Sequence, residues 1–573
     1  LAGSVRVKSG SDGRSYLLLQ VLFLLGFFLL LVSRAYFVPL WGSSEAREAH
    51  VAELIAQTGE WILPSRNGLV PSKPPLLHWL SAILISVFSI SGLFAARLVS
   101  ALAAIGTTLL LANFFSCGGK NSSEKNQRWW LCAGIILTTY GFYALSFDAR
   151  VDMLLCFLVT GATLAFYSGL QEVDCALPAA QRNQIKVMQC KVAVWCGLAV
   201  LAKGPLGVAF PALAAIAMVG SIFCNGKRSL LKTLCPHAAP IVIFALLALP
   251  WYFFASFYGG SAFIERQIIF ENFARLVGGD GITSRPWHFY VPVLITTAFP
   301  WSLIAIFSLR SLAKNNKSAG FYLERISAVI WVAGVLFLSF SDGKRASYLL
   351  MLLPWLTLHV ASVVTTHLSQ EHRAIFWQRF LDRFLYFLSV FVLVAAGAFA
   401  VFTRYLVRAP LFNDLSTGIA ITITCAVAWL VFLSIFRRLV TATQSNINIG
   451  FSLASLAGIA VCLASLGLVI KGELKDYEGA ARSINKIVLK NDALFAVRER
   501  TDERLDPIFY TIRRPVSILS PRVQREQLPD SGYVIAPKKW LLERGFPVSE
   551  FFSEFLMQAP MKDSEFALVN LRP

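Results

Sequence analysis

Long apolar runs separated by short basic loops dominate this chain. About 20 apolar residues are needed to cross a bilayer. Runs of that kind are read at 16–33, 94–115, 129–147, 152–170, 191–203, 204–223, 238–257, 289–309, 326–340, 347–366, 385–404, 417–436 and 449–470. The pattern predicts thirteen membrane spans, of which 191–203 is short. A further apolar stretch, 76–91, is ambiguous, and the distribution of Lys and Arg decides it, because loops facing the cytoplasm carry an excess of both. With thirteen spans and a cytoplasmic N-terminus, the inner loops hold Lys120, Lys125 and Arg128; Lys227, Arg228 and Lys232; Arg310, Lys314, Lys317 and Arg325; Arg373, Arg379 and Arg383; and Arg437 and Arg438. Counting 76–91 as a span would push all of these outside. It is therefore predicted to lie at the interface or to re-enter from the outer side.

The same arrangement places 34–93, the turn from Asp148 to Asp152, 258–288 and Ser341 to Ser347 on the outer face, together with the C-terminal tail. The expected organisation is a transmembrane domain over 1–471, with interfacial helices in the first outer loop (34–93), and an outer domain over 472–573. In the tail, 492–498, 507–513, 532–536 and 566–571 read as short strands, and Tyr477–Leu489 and Val548–Met557 as helices. The fold class is mainly α and polytopic, with a small C-terminal α/β domain. In "WGSSEAREAH", Ser44 is a plausible N-cap of a short charged helix, with Glu45 in its first turn.

Composition agrees. Only 15% of the 573 residues are charged, against about 25% in an average soluble domain, so a polytopic membrane protein is expected. The net charge of +19 is topological, since the cations sit in short loops. Contact with phosphate lipid is expected and nucleic acid is not. The ten cysteines form no metal-type pair and leave the tail without a disulfide. Tyr16–Val32 follows Arg6, Lys8 and Arg14 and has no signal-peptidase-like site, so it reads as a retained span.

The candidate chemistry lies in the outer loops. "PSKPPLLHW" sets Lys73 directly before two prolines, which fix the backbone that carries it. "LAKGPLG" places Lys203 between two apolar spans, where a lone ammonium is costly unless an anion or acid meets it. "SDGKRASYLL" puts Lys344 and Arg345 at a span mouth, with Tyr348 one turn further in. "ENFARLVGG" adds Arg275, and Arg47 completes the set. Cations converging on one face suit a phosphate head group, with arginine giving bidentate contacts and lysine a point charge.

In order along the chain, "WGSSEAREAHVAELIAQTGEWILPSRNG", "SKPPLLHW", "DARVDMLL", "LAKGPLG", "LPWY", "ENFAR", "RPWHFYVPVLITTAFPWS" and "GKRASYLLMLLPW" resemble the bacterial protein mannosyltransferase-like group. That group includes the 4-amino-4-deoxy-L-arabinose transferases that modify lipid A. The resemblance covers roughly residues 16–366. It implies a C-type glycosyltransferase fold with thirteen spans, a polyprenyl-phosphate sugar donor, and an active site on the outer face of a bacterial inner membrane. Carried over by position, Arg47, Lys73, Arg275, Lys344 with Arg345, and Tyr348 would surround the donor phosphate with Lys203 nearby. Asp152 matches the acid of the second outer loop. The acceptor would be a lipid, a glycan or a protein, and a monomer is expected.

The chain departs from the family at three places. Ser44-Glu45 replaces a usual Asp-Glu pair, Ser72 stands where a Glu commonly precedes the lysine, and Asn272 stands where those enzymes have a His. The Glu and His are the family's metal-ligand positions, so no cofactor is assigned. A divalent metal would have to bind without them. His50 and Glu53 lie i, i+3 on a helix and read as a surface pair rather than ligands. His288, beside Trp287 and Tyr290, reads as an interface anchor.

Inverting transfer needs stabilisation of the leaving phosphate, which the cations supply. It also needs a base if the acceptor is an alcohol, but not if the acceptor is already an anion. Three readings stay open for a chain with Ser44: Glu45 or Asp152 serves as the base, the acceptor is phosphate-like and needs none, or turnover is lost and the protein is a lipid-binding scaffold. A transporter fits less well, because the cations gather at one face rather than at mid-membrane.

Overall fold

The computed structural model describes residues 11–368 and 477–571, apart from 41, 65, 67–69, 176–177, 225–236, 275–284, 311–318, 490, 498–504 and 547–565. The expected spans 385–404, 417–436 and 449–470, the 471/472 boundary, the helix Val548–Met557 and Arg275 lie outside the described residues. The membrane part comprises α1 (Ser11–Phe37), α2 (Ser43–Thr58), α3 (Leu76–Phe88), α4 (Gly92–Ser116), α5 (Ser122–Thr138), α6 (Tyr140–Leu145), α7 (Val151–Cys175), α8 (Pro178–Lys203), α9 (Leu206–Cys224) and α10 (Ala238–Phe263). A π-helical segment, Ile264–Ala274, continues α10. After it come α11 (Tyr290–Thr297), α12 (Ser302–Ser308), α13 (Ala319–Ser339), a 3-10 segment (Ala346–Leu352) and α14 (Leu353–Leu368).

Seven of the described helices are long and apolar enough to cross a membrane, and a bent pair makes an eighth. The chain is a multi-pass membrane protein. The expected span 191–203 proves to be the end of a longer helix, because the polar residues from Pro178 onward continue the same helix. Two expected spans are broken. The run 129–147 divides at Thr139, which takes an extended conformation (ψ 116°) between α5 and α6. The Tyr140 N–H then donates to the Phe299 carbonyl instead of to its own helix. The run 289–309 bends by 118° between α11 and α12, where Pro300 has no N–H to continue the ladder. The stretch 76–91 forms the 13-residue α3, roughly 20 Å long, which falls short of a hydrocarbon core of about 30 Å.

Local chemistry explains the helix ends. Ser91 and Asn121 cap α4 and α5 by accepting the N–H of Phe94 and Glu124, as N-cap residues do. Ser44 does not act as the N-cap that was expected. α2 begins two residues earlier, with Gly42 at the N-cap position, and no side chain caps it. At the other end Gly59 (φ 73°) adopts the left-handed conformation that glycine accepts without strain.

A fully buried cation fixes the entry to α2. Arg97, near the head of α4, donates from Nε and Nη2 to both carboxylate oxygens of Glu45 (2.9 and 2.7 Å) and from Nη1 and Nη2 to the carbonyls of Ala35, Val38 and Pro39. The guanidinium therefore gathers the end of α1, the turn after it and the first turn of α2.

The C-terminal domain contains α15 (Tyr477–Ile487), β1 (Leu494–Val497), α16 (Asp506–Ile512), β2 (Ser517–Leu519), β3 (Tyr533–Pro537), α17 (Lys538–Glu543) and β4 (Phe566–Asn570). The strands form one sheet in the order β2-β1-β3-β4, parallel except for the antiparallel β3–β4 pair. The stretch 507–513, expected as a strand, is helix α16. Asp506 and Pro507 open its first turn, both favourable at a helix start, and a short apolar run does not by itself separate strand from helix. β2 was not anticipated.

This domain shares a core with the first loop: Leu40, Ala46 and Ala49 belong to the same apolar cluster as Tyr477, Ile508 and Phe509. The expected surface pair His50 and Glu53 is half-buried in the same contact. The Tyr510 hydroxyl donates to Glu53 (3.0 Å), which also accepts the Gly92 N–H (2.7 Å). Burial, followed by the charge of Arg66, pushes the His50 imidazole down to about 4, with Asp506 opposing.

Two outcomes are expected. Arg97→Ala strands a buried carboxylate and lowers stability by about 3–5 kcal/mol, readable as a fall in thermal midpoint, while the Arg97→Leu/Glu45→Leu pair recovers part of the loss. His50 is neutral when folded, so its contribution is complete above the ordinary histidine value of 6.5 and is lost as pH falls toward 4. A thermal-midpoint series across that window should slope downward with acidification, and His50→Gln should flatten it.

Candidate active site

The prolines after Lys73 start α3 and leave the lysine on a fixed backbone, with Pro75 at the N-cap. Lys73 is buried and paired with Glu271 of the π-helical segment. Arg266 lies 3.8 Å from the other oxygen of Glu271, and Gln267 Nε2 donates to the Pro71 carbonyl (3.0 Å). The connection before Lys73 is therefore seated against this segment.

Lys203 is the last residue of α8, which ends because Gly204 (φ 69°) takes the left-handed conformation. Its ammonium pairs with Asp152 and lies 4.9 Å from the centre of the Tyr348 ring, a distance at which the ring face attracts a cation. Asp152 occupies the first turn of α7, where the helix dipole favours a negative charge. Its second oxygen meets Arg150 Nη2 at 2.9 Å, and that guanidinium also donates to Ser347 Oγ (3.2 Å). The acid expected to meet Lys203 is thus present, with a second cation on its other side.

Lys73, Lys203 and Tyr348 line one pocket with Ser72, Gln267 and Glu271. The hydroxyl of Ser72 is buried there, with no hydrogen-bond partner among the described residues. The pocket mixes two ammonium groups, a carboxylate, an amide and an aromatic face. Such a set suits a singly charged phosphate with an apolar tail.

Other anticipated residues stand elsewhere. Arg47 is buried with Nε and Nη2 donating to Glu48 (3.0 and 2.7 Å), whose second oxygen meets His78 Nε2 at 2.6 Å. Burial opposes ionisation of Glu48, but Arg47 and His78 outweigh it and hold this carboxyl well below the usual carboxylate range. Lys344 donates to the carbonyls of Arg285 and Ser341 (3.0 and 2.6 Å). Arg345 is exposed, while its backbone N–H donates to the Tyr290 hydroxyl (3.2 Å). Glu45, besides holding Arg97, accepts the Ala149 N–H at 2.9 Å. Burial and then the charge of Glu45 push Asp148, in the turn before α7, well above the usual carboxylate range.

Sequence reasoning passed over Arg97, Arg150, Glu48 with His78, and Asp148. Arg97 had a usable signal, a lone charge inside an apolar run. Arg150 sat inside the quoted "DARVD". Glu48 and His78 had none, because neither carries a pattern until the two helices meet. For a divalent metal the donor set does not fit: Ser72 offers a hydroxyl and Glu271 is matched by Lys73 and Arg266. Among the described residues no three His, Cys, Asp or Glu side chains gather.

No family model matches the chain. It is 28% identical over 371 residues to the undecaprenyl phosphate-alpha-4-amino-4-deoxy-L-arabinose arabinosyl transferase of Pseudomonas savastanoi pv. phaseolicola, an alignment covering 63% of this chain and 65% of that protein. A second relative of the same description, from Pseudomonas fluorescens, is 24% identical over 427 residues, 73% of this chain and 69% of the relative. Among solved structures, ArnT from Cupriavidus metallidurans bound to undecaprenyl phosphate superposes with a TM-score of 0.70 at 16% identity, over 96% of this chain and 98% of ArnT. Its apo state gives 0.69 over the same shares. By sequence the chain is thus similar to proteins described as undecaprenyl phosphate-alpha-4-amino-4-deoxy-L-arabinose arabinosyl transferases, and its architecture is the C-type glycosyltransferase fold of ArnT.

Proposed function

We propose that this protein is an integral-membrane glycosyltransferase that moves one sugar from a polyprenyl-phosphate donor to an acceptor. It works in a bacterial inner membrane, with the pocket and C-terminal domain on the periplasmic side. The observation that carries this reading is the convergence of Lys73, Lys203 and Tyr348 on one pocket. Names among the relatives supply the donor class, since those proteins are described as undecaprenyl-phosphate arabinosyl transferases. The basic inner loops support the orientation.

The chemistry follows from the charges. The bond between the sugar's anomeric carbon and the phosphate oxygen breaks, and the electron pair stays on the departing lipid phosphate. Lys73 and Lys203 face the place where that charge grows, in surroundings poor in water, where fixed cations are worth most. Glu271 and Asp152 hold the two ammonium groups in place.

The acceptor side is more restrictive. An alcohol must give up its proton during attack. Asp152 is committed to Lys203 and Arg150, and Glu45 to Arg97 and the Ala149 N–H. A carboxylate held by two strong donors is a poor proton acceptor. Of the acceptors considered, lipid, glycan or protein, a phosphate-bearing lipid of the lipid A kind fits best. It attacks as an anion and asks for no base, which also accommodates Ser44 in place of an acid. No step is routed through a metal. Glu45 then shapes the site by holding Arg97, and Asp152 by holding Lys203. Lys344 and Arg345 contribute positive potential that draws the anionic lipid in, whereas Arg47 is neutralised by Glu48.

The test uses purified protein in detergent with radiolabelled undecaprenyl-phosphate sugars and lipid acceptors with and without a phosphate group. Label is expected on the phosphate-bearing acceptor, with Lys73→Ala and Lys203→Met each lowering turnover by about 10²–10³-fold. Transfer to an alcohol acceptor that Asp152→Asn abolishes would overturn the base-free reading. A second reading, a binding protein without turnover, draws on Ser44, Ser72 and Asn272 together. It would be favoured by Lys73-dependent binding of undecaprenyl phosphate with no movement of label.

A further inference from the structure

Residues 59–75 connect α2 to α3 and end in the pocket at Lys73. The backbone of this connection is held by side chains from other elements. Trp79 Nε1 donates to the Trp61 carbonyl (2.7 Å), Trp251 Nε1 to that of Ile62 (2.9 Å), and Gln267 Nε2 to that of Pro71 (3.0 Å). These three donors belong to the membrane part. The fourth hold comes from the C-terminal domain: Arg66 Nη1 lies 2.7 Å from Asp506 Oδ1, and the two side chains are 7% and 0% exposed.

Asp506 is well placed to act at a distance. It opens α16, whose residues Ile508 and Phe509 share a core with Ala46 and Ala49 of α2, and whose Tyr510 bonds Glu53. The domain is therefore fixed on α2, and Asp506 reaches from that base across to Arg66. A buried ion pair is directional, and removing one partner leaves the other charge without its counterion. Lys73 lies seven residues beyond Arg66 and is itself paired with Glu271. A displacement of about 1 Å in such a group can cost a site 10²-fold.

We propose that Asp506 is a positioning residue for the lipid-phosphate pocket, setting Lys73 through Arg66 and the 59–75 connection. The proposal rests on the reading of the pocket given above. It assigns the C-terminal domain a part in the site: the domain is a strut for Lys73. Because Lys73 both holds the donor phosphate and meets the charge that grows on it, loss of Asp506 should weaken donor capture and also lower turnover, each by less than Lys73→Ala does.

The experiment uses the full chain in detergent, with Asp506→Asn, Arg66→Gln and the swap Arg66→Asp/Asp506→Arg. Two readouts run in parallel: hydrogen–deuterium exchange of 59–75 compared with β3, and titration with undecaprenyl phosphate. In Asp506→Asn the exchange of 59–75 should rise and the half-saturating lipid concentration should increase by about tenfold. β3 should stay protected, and the swap should restore both values toward wild type. Should Asp506→Asn also open β3, Arg66→Gln decides, since it leaves the domain's own residues intact. Unchanged exchange and unchanged half-saturation in Arg66→Gln would overturn the proposal, as would a swap that fails to restore either value while β3 stays protected. If wild-type protein binds no undecaprenyl phosphate, the pocket reading fails by itself, and the exchange arm still decides whether Asp506 sets the connection.

Discussion

A guanidinium shut away from water has to be matched atom by atom, and Arg97 is. Its five N–H groups face two carboxylate oxygens and three carbonyls. That single requirement determines where α1 stops, how the chain turns, and at what angle α2 leaves. Three further parts of the structure are then built on α2. The C-terminal domain rests on Ala46 and Ala49, α3 is tied to it through Glu48 and His78, and the turn before α7 meets Glu45 through Ala149. Buried at this depth, such a charge cluster cannot slide, because every displaced donor would be left unpaired.

The pocket repeats this logic with opposite emphasis. Each ammonium has a carboxylate behind it, Glu271 for Lys73 and Asp152 for Lys203, and Asp152 has Arg150 beyond it. Alternating charges hold one another in place. In this arrangement the acids position the cations, where the resemblance had implied a base.

Much of the fold was legible because burial in a bilayer leaves a long, unbroken apolar signal. The expected spans 94–115 and 152–170 lie within α4 and α7, and 326–340 overruns the end of α13 by one residue. The failures came where hydropathy does not track backbone geometry. The break at Thr139 and the bend around Pro300 fall inside apolar runs, the polar start of α8 is helical, and 507–513 reads equally as strand or helix. At the site, Lys73 and Lys203 stood out by their neighbours, prolines in one case and apolar spans in the other. Their partners did not. Glu271 is 198 positions from Lys73, and only folding makes such a pair. Arg47 and Glu45 carried charge patterns suggesting exposure to ligand, yet each is spent inside the protein, on Glu48 and on Arg97.

The connection 59–75 is gripped mainly by its carbonyl oxygens, at Trp61, Ile62 and Pro71. A carbonyl is common to every amino acid, so the path of this segment is independent of most of its own side chains. Evolution could therefore rewrite most letters of this connection, Arg66 excepted, without disturbing the lysine at its end.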